Sequence, residues 1–415
     1  MGGPGPGPLA GIRVLDLSRV LSGPIAGRNL RDLGAEVIKL EPPEGDLTRF
    51  AQPKVGSISL YYAQQNTGKR NISIDLRTDE GAGIVRALAE HVDVVIENYR
   101  PGVMDRLGLG WDVLHAANPR LVLASISGYG QTGAWADRRA YAVVIHAEMG
   151  LIESGARWRA DAAGTPDAAV PVQDGMSHAD VYAGLHLTAA VIAALYQRDR
   201  TGAGQWVEVD MAEALLHAND FVHWDLSPVD PGDYRPSLAP PYTPIVRTGA
   251  GASVVMGGDP AGAGVWEQYC AAMNRPELVD DPRFSRAERR AHRTEQLAIL
   301  EEWAGGFTDL DALERALADA GIAMGVIRAA GAAATSEWAE ARGATVPVDD
   351  RRGGTIRIPE APWRFSGAPT GAGGVPAYRG EHNREVLREL LGTDDATLAD
   401  WEARGVLSAR VPDSA

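Results

Sequence analysis

The sequence predicts an α/β fold organised around a parallel sheet. Three observations predict it. Short β-branched and leucine runs alternate with helix-like segments through the first 130 residues, proline and glycine bracket the first of those segments, and a long apolar helix with a further strand–helix pair follows residue 180. Alternation of this kind is the pattern of strands joined by crossover helices.

In chain order, IRVLDL (12–17) reads as the first strand, and PIAGRNLRDLG (24–34) as a helix with proline at its start and glycine at its end. AEVIKLE (35–41), NISIDL (71–76), VDVVIEN (92–98) and LVLASIS (121–127) supply four more strands, with helices over 79–90 and 111–117. In such sheets ligands sit beyond the carboxyl ends of the strands, which makes Ser18, Arg19, Glu41, Asn98, Tyr99 and Ser127 site candidates. A helix over 180–198 places Val181, Leu185, Ile192 and Leu195 near helical spacing. QWVEVDM (205–211) reads as a strand and AEALLHA (212–218) as a helix. The Pro-rich stretch over 226–244 is taken as a linker, a folded loop being the alternative. A smaller α/β unit follows over 245–335, with helices over 265–273, 290–304 and 310–320. Two short strands (345–348, 355–358) and a helix beginning near Asn383 complete the chain.

At 415 residues the chain exceeds one small core and points to two or three domains. Its 45% hydrophobic and 23% charged residues indicate a soluble globular protein. No apolar run reaches the roughly 18 residues of a membrane span, and the start, MGGPGPGPLAG, has neither the basic nor the apolar region of a secretory signal. Cys270 is the single cysteine, so no internal disulfide is possible and a cytosolic location is expected.

A net charge of −15 argues against nucleic acid or an anionic membrane as partner. The charge is uneven. Residues 1–140 carry 16 basic and 15 acidic residues, against 24 and 40 in the remainder. A near-neutral N-terminal part on an acidic protein suits a polyanionic ligand. The scarcity of lysine, confined to Lys39, Lys54 and Lys69, is explained by arginine-rich codon usage.

No GxxxxGK[ST] loop, GxGxxG turn or GxSxG elbow occurs where it would carry chemistry. The nine histidines are scattered and, without HExxH or paired cysteines, read as structural rather than as a metal site. Asp180 stands at the start of the apolar helix. There it can be an N-cap, and the free N–H groups of the helix end favour its charge. Gly184, one turn on, permits a close approach of backbone or ligand. From these residues alone the reading stops at a soluble α/β enzyme with no assigned ligand.

Several strings go further: PLAGIRVLDLSRVLSGP (8–24), GAEVIKLEPPEGDLTR (34–49), NTGKRNISIDL (66–76), VIENYRPGVMDRLGLGW (95–111), ASISGYGQTG (124–133), ADVYAGLHLTAAVIAAL (179–195), RTGAGQWVEVDM (200–211) and GEHNREVLREL (380–390). In this order and spacing the chain resembles the class III CoA-transferases, which include formyl-CoA transferase, carnitine CoA-transferase and α-methylacyl-CoA racemase. The resemblance implies a Rossmann-like large domain formed by both chain ends, a smaller domain between them, and an interlocked homodimer. The implied boundaries are 9–225 for the first part of the large domain, 226–335 for linker and small domain, and 336–415 for the return segment.

It also implies coenzyme A as substrate and product, with no metal. By motif match the CoA-binding residues are Arg19, Val20, Leu21, Lys39, Asn98, Tyr99, Arg106, Leu107, Arg139 and Tyr141. Any one of these arginines could be solvated surface, but as a set they suit the phosphates of CoA. Asp180 is the implied nucleophile and Gly184 the implied oxyanion neighbour, with Asp174 a rival only by proximity. The string Ala140-Tyr141-Ala142 carries the aromatic of the transferases where racemases carry histidine, and His146 is out of register for that role. Ala142 departs from the acidic residue common in the family. The glycine-rich lid of oxalate-using members is not located, so formyl-CoA:oxalate transfer is not supported. Racemisation, a non-catalytic CoA-binding subunit and transfer within one diacid stay open as alternatives.

Overall fold

The structure, a computed structural model, describes residues 6–220, 222–229 and 242–411. The chain divides into two compact units. The larger comprises Met1–Met149, Gly175–Asp220 and Ala334–Ala415, and the smaller Gly150–Asp174 and Phe221–Ala333.

The larger unit is built on a six-stranded sheet. Its strands are β1 (Arg13–Asp16), β2 (Glu36–Glu41), β3 (Arg70–Ser73), β4 (Val94–Glu97), β5 (Val122–Ser127) and β6 (Gln205–Asp210). All neighbours are parallel and the spatial order is β3-β2-β1-β4-β5-β6. β4 and β5 are buried along their whole length, so they are mostly apolar, with Glu97, Ser125 and Ser127 buried among the apolar residues. β6 is an edge strand, and its burial alternates. The order reverses between β1 and β4, the place where such sheets open a crevice at the carboxyl ends of their strands.

The helices that shape this crevice are α1 (Ser22–Asp32), α2 (Leu60–Asn66), α3 (Asp79–Ala89), α4 (Val103–Arg106), α5 (Trp111–Ala117) and α6 (Ala142–Glu148). After α7 (Leu151–Ala162) come α8 (His178–Thr201) and α9 (Met211–Ala218). By length and composition alone α8 could cross a membrane. Here its inner face packs on α1, β5, β6 and α9. Gly184 makes the α1 contact possible, because a Cβ there would lie 2.5 Å from the Ser22 carbonyl oxygen. The outer face of α8 leaves Leu185, Ile192 and Tyr196 exposed at one-, two- and three-turn spacing.

The C-terminal segment closes the other edge. Asn71 N–H donates to His382 Nδ1 at 3.0 Å and Ser73 N–H to Asn383 Oδ1 at 2.8 Å, so β3 does not present a bare edge. Two more helices, Asn383–Leu391 and Asp395–Ala403, deliver Val386, Leu387, Leu390 and Leu398 to the core that holds Leu15, Ile38, Ile72 and Val95.

The smaller unit carries an antiparallel sheet of Ile245–Arg247, Ser253–Met256 and Met324–Val326 over a core centred on Trp266, Tyr269 and Leu300. It also takes residues 150–174, which the sequence reading assigns to the large domain. Trp158 of α7 meets the rings of Trp224 and Tyr242, Asp161 accepts from the Tyr242 hydroxyl, and Arg293 Nη1 donates to Ala162 O at 2.6 Å. These long-range contacts leave no local signature. Most of the linker expected over 226–244 lies outside the described residues.

Candidate active site

The loop after β1 and the loop after β4 meet at the reversal of strand order, and Asn98 joins them. Its Oδ1 accepts from Arg19 N–H at 2.7 Å, and its Nδ2 donates to Arg19 O at 2.8 Å and to Ser22 Oγ at 3.1 Å. Between them Val20 holds φ at +67°. This is an outlier for a β-branched residue and a form of strain that clusters at functional sites. Asp46 Oδ2 steadies the turn by accepting from Val20 N–H at 3.0 Å.

These loops open onto a cleft of about 570 Å³. Arg19, Val20, Asn98, Tyr99, Arg106 and Tyr141, six of the expected binding residues, line it together with Asp180. Among the described residues its charged lining is four arginines, Arg19, Arg100, Arg106 and Arg138, against the single carboxylate of Asp180. Arg19 Nε is buried and, among the described residues, has no hydrogen-bond partner. An arginine-rich crevice on an acidic protein fits an anion with several phosphates.

Asp180 is set inside the first turn of α8, two residues past His178, rather than ahead of the helix. Ser177 is the residue at the N-cap, and its side chain makes no cap bond. Burial pushes the Asp180 carboxyl up to about 6, against hydrogen bonds from the Ser22 backbone N–H, the Ser22 hydroxyl and its own N–H. Ser22 opens α1, so its N–H is free of the helical ladder. Asn98 thus reaches Asp180 through the Ser22 hydroxyl. Tyr61 also lies beside the nucleophile candidate: burial and then the Asp180 charge raise its phenol.

Four expected binding residues stand apart from the cleft lining. Lys39 lies within β2, fully buried, with Nζ donating to Ser18 O and sitting 3.8 Å from both Asp16 and Asp46. Lys69 completes this network at 2.9 Å from Asp16 Oδ2. Leu21 is buried at the start of α1, and Leu107 packs against the main core. Arg139 is exposed, and its neighbour Arg138 lines the cleft instead, stacked over Trp135 and Tyr129 and paired with Glu148.

Gly184 is also corrected. Its N–H falls inside the α8 ladder, where i→i−4 bonding uses it, so it serves as a spacer against α1 and not as an oxyanion donor. Asp174 is exposed and does not line the cleft. Of the strand-end candidates, Ser127 lines the cleft, whereas Ser18 and Glu41 are buried in polar networks. Ser22, Tyr61, Arg100 and Arg138 join the site beyond the residues that the sequence singles out. All but Tyr61 adjoin the strings or residues already singled out, but side-chain direction in a loop is not encoded by spacing.

Residues 9–383 match the model of CoA-transferase family III. The chain is 33% identical over 410 residues to a succinyl-CoA–D-citramalate CoA-transferase of Chloroflexus aurantiacus, covering 97% of this chain and 98% of that one. It is 32% identical to a formyl-CoA:oxalate CoA-transferase of Streptomyces avermitilis, over 96% and 99%. The crystal structure of a CAIB/BAIF family protein from Brucella suis superimposes with a TM-score of 0.77 at 32% identity, covering 93% of this chain and all of that one. With its parallel sheet, its arginine-lined cleft and a match across nearly its whole length, the chain belongs to CoA-transferase family III.

Proposed function

We propose that this protein moves CoA from an acyl-CoA donor to a carboxylic acid acceptor, with Asp180 as covalent nucleophile. The observation that carries the reading is the position of Asp180: the one carboxylate in a cleft of four arginines, with its carboxyl raised to about 6. At neutral pH such a group is mostly ionised and more basic than an ordinary aspartate, as a nucleophile should be.

The chemistry divides into four acyl transfers. The Asp180 carboxylate attacks the donor thioester carbonyl, forming a mixed anhydride and expelling CoA thiolate. The thiolate attacks the aspartyl carbonyl of that anhydride, releasing the donor acid and leaving an aspartyl-CoA thioester. The acceptor carboxylate attacks this thioester, giving a second anhydride and CoA thiolate. The thiolate then takes the acceptor acyl group and frees Asp180. The Ser22 N–H and hydroxyl face the aspartyl oxygens and supply donors for the charge that gathers there in the second and third steps.

CoA is a substrate in this reading. The arginines and the orphaned Arg19 Nε fit its phosphates, and Tyr99 and Tyr141 offer apolar surface to the rest. α-Proton exchange is the weaker alternative, because among the described residues no histidine lines the cleft, and Tyr141 takes the aromatic position. Retention of Asp180 in the cleft speaks against a non-catalytic subunit.

A Rossmann-like large domain is supported by the strand order, and association of two copies by the exposed Leu185, Ile192 and Tyr196 on α8, the interlock itself resting on the family resemblance. A folded monomer at micromolar concentration in sedimentation would remove the dimer from the reading. The test of function is direct. Acyl-CoA donors are screened against carboxylate acceptors by mass spectrometry, beginning with the succinyl, formyl, citramalate and oxalate compounds named for the relatives. Hydroxylamine added with a competent donor should leave a hydroxamate on Asp180; a mark on another carboxylate refutes the assignment.

A further inference from the structure

α8 begins without the usual help. The Ser177 side chain makes no cap bond, yet the first N–H groups of a helix need acceptors. One acceptor comes from another helix. His146 on α6 is fully buried, and its Nε2 accepts from Ala179 N–H at 3.2 Å. The next N–H along, that of Asp180, faces its own carboxylate. Two donors at this helix end are therefore taken up, one by an imidazole and one by the nucleophile.

We infer that His146 is a positioning residue for Asp180: by occupying the Ala179 N–H from outside, it keeps the Asp180 carboxylate turned toward Ser22 and the cleft. An aspartate in the first turn of a helix is itself a good acceptor for the free N–H groups there. With the imidazole removed, the vacant Ala179 N–H competes for the carboxylate and draws it from the reacting geometry. A bonded Nε2 that accepts carries no proton, so the proton of the neutral ring is on Nδ1. The link continues to the substrate side, because α6 starts from Tyr141, which lines the cleft.

This inference rests on Asp180 as nucleophile, and the experiment separates the two. His146→Leu, His146→Gln, His146→Asn and Asp180→Asn are compared in full-length protein by steady-state transfer, by single-turnover release of CoA thiol and by hydroxamate marking. Gln Oε1 can stand where Nε2 stands, whereas the Asn amide is one bond shorter. The expected result is about tenfold lower kcat and slower thiol release in His146→Leu and His146→Asn, with KM for acyl-CoA within about twofold and near-normal values restored in His146→Gln. If His146→Leu fails to fold, the Gln and Asn variants decide by the same contrast. Wild-type turnover in His146→Leu, or equal loss in Gln and Asn, overturns the inference. Turnover in Asp180→Asn would instead overturn the nucleophile, whatever the His146 variants show.

Discussion

Replacing Asp180 with asparagine should abolish transfer and at the same time stabilise the fold above neutral pH. The magnitude follows from the site. Burial raises the carboxyl from 3.8 to about 6 in the folded protein, against three hydrogen bonds that favour the charge. Two pH units correspond to about 3 kcal/mol. Because the folded value is the higher one, the folded state binds the proton more tightly. Stability is therefore lost as pH rises from about 4 to 6, and the full cost is present above that. Asparagine has no charge to desolvate and keeps an acceptor for Ser22. Urea midpoints measured at pH 4.5 and pH 8 should show the variant gaining about 1 kcal/mol at the lower pH and the full difference at the higher. The wild-type kcat/KM should fall along an acid limb near pH 6 as the nucleophile protonates. Near-normal turnover in the variant would refute the chemistry. A variant less stable than wild type by the same amount at both pH values would refute the electrostatic argument, since the carboxylate would then be an ordinary structural acceptor.

Other consequences are as direct. Arg106→Ala should weaken CoA binding, with an effect that shrinks as salt is added, whereas Arg139→Ala outside the cleft should leave titration calorimetry unchanged. Lys39→Met should cost about 3 kcal/mol in chemical denaturation, because it removes a cation buried between Asp16 and Asp46. A loss of CoA affinity with full stability would return Lys39 to the ligand. Glu97, buried and raised from 4.5 to about 7 although it accepts from Tyr99 N–H at 2.8 Å, destabilises the fold as pH climbs toward 7. Glu97→Gln should be more stable than wild type at pH 8 by about 3 kcal/mol and equal to it near pH 4.5.

The parallel strands are legible in the sequence because strands covered on both faces need mostly apolar residues, as in VVIE and VLASIS, while the edge strand QWVEVD alternates. The α8 helix is legible from its spacing, though its first turn begins two residues earlier than Asp180. The region from Ala142 to Ala162 is not, since α6 carries the β-branched run Val143–Ile145, α7 is rich in alanine and polar residues, and both take their places from distant partners such as Ala179 and Tyr242. Lys39 shows the same limit at one residue. A lysine in a family motif near a phosphate ligand reads as a contact, and only the positions of Asp16 and Asp46 reveal that it is buried with them. Arg138 and Arg139 differ by one step along a loop, and chain direction alone decides which enters the cleft.

Three unfavourable features of the larger unit meet at the cleft. Val20 is held at positive φ, Asp180 is ionised while largely buried, and Arg19 Nε is buried without a partner. Each costs the apo protein stability, and each faces the cleft where an anionic thioester would bind. The cost of the Arg19 donor is the one a ligand can relieve. CoA at a hundredfold its Kd should stabilise the protein by about 2.7 kcal/mol simply because it binds the folded state alone. Arg19→Met keeps the length of the apolar stem but removes the orphaned donor. The variant should melt at a higher temperature than wild type without ligand and gain much less from the same CoA concentration. If the apo variant is instead the less stable protein, Arg19 holds the β1 loop through a contact of its own. The strain at Val20 would then belong to the fold rather than to a site waiting for phosphate.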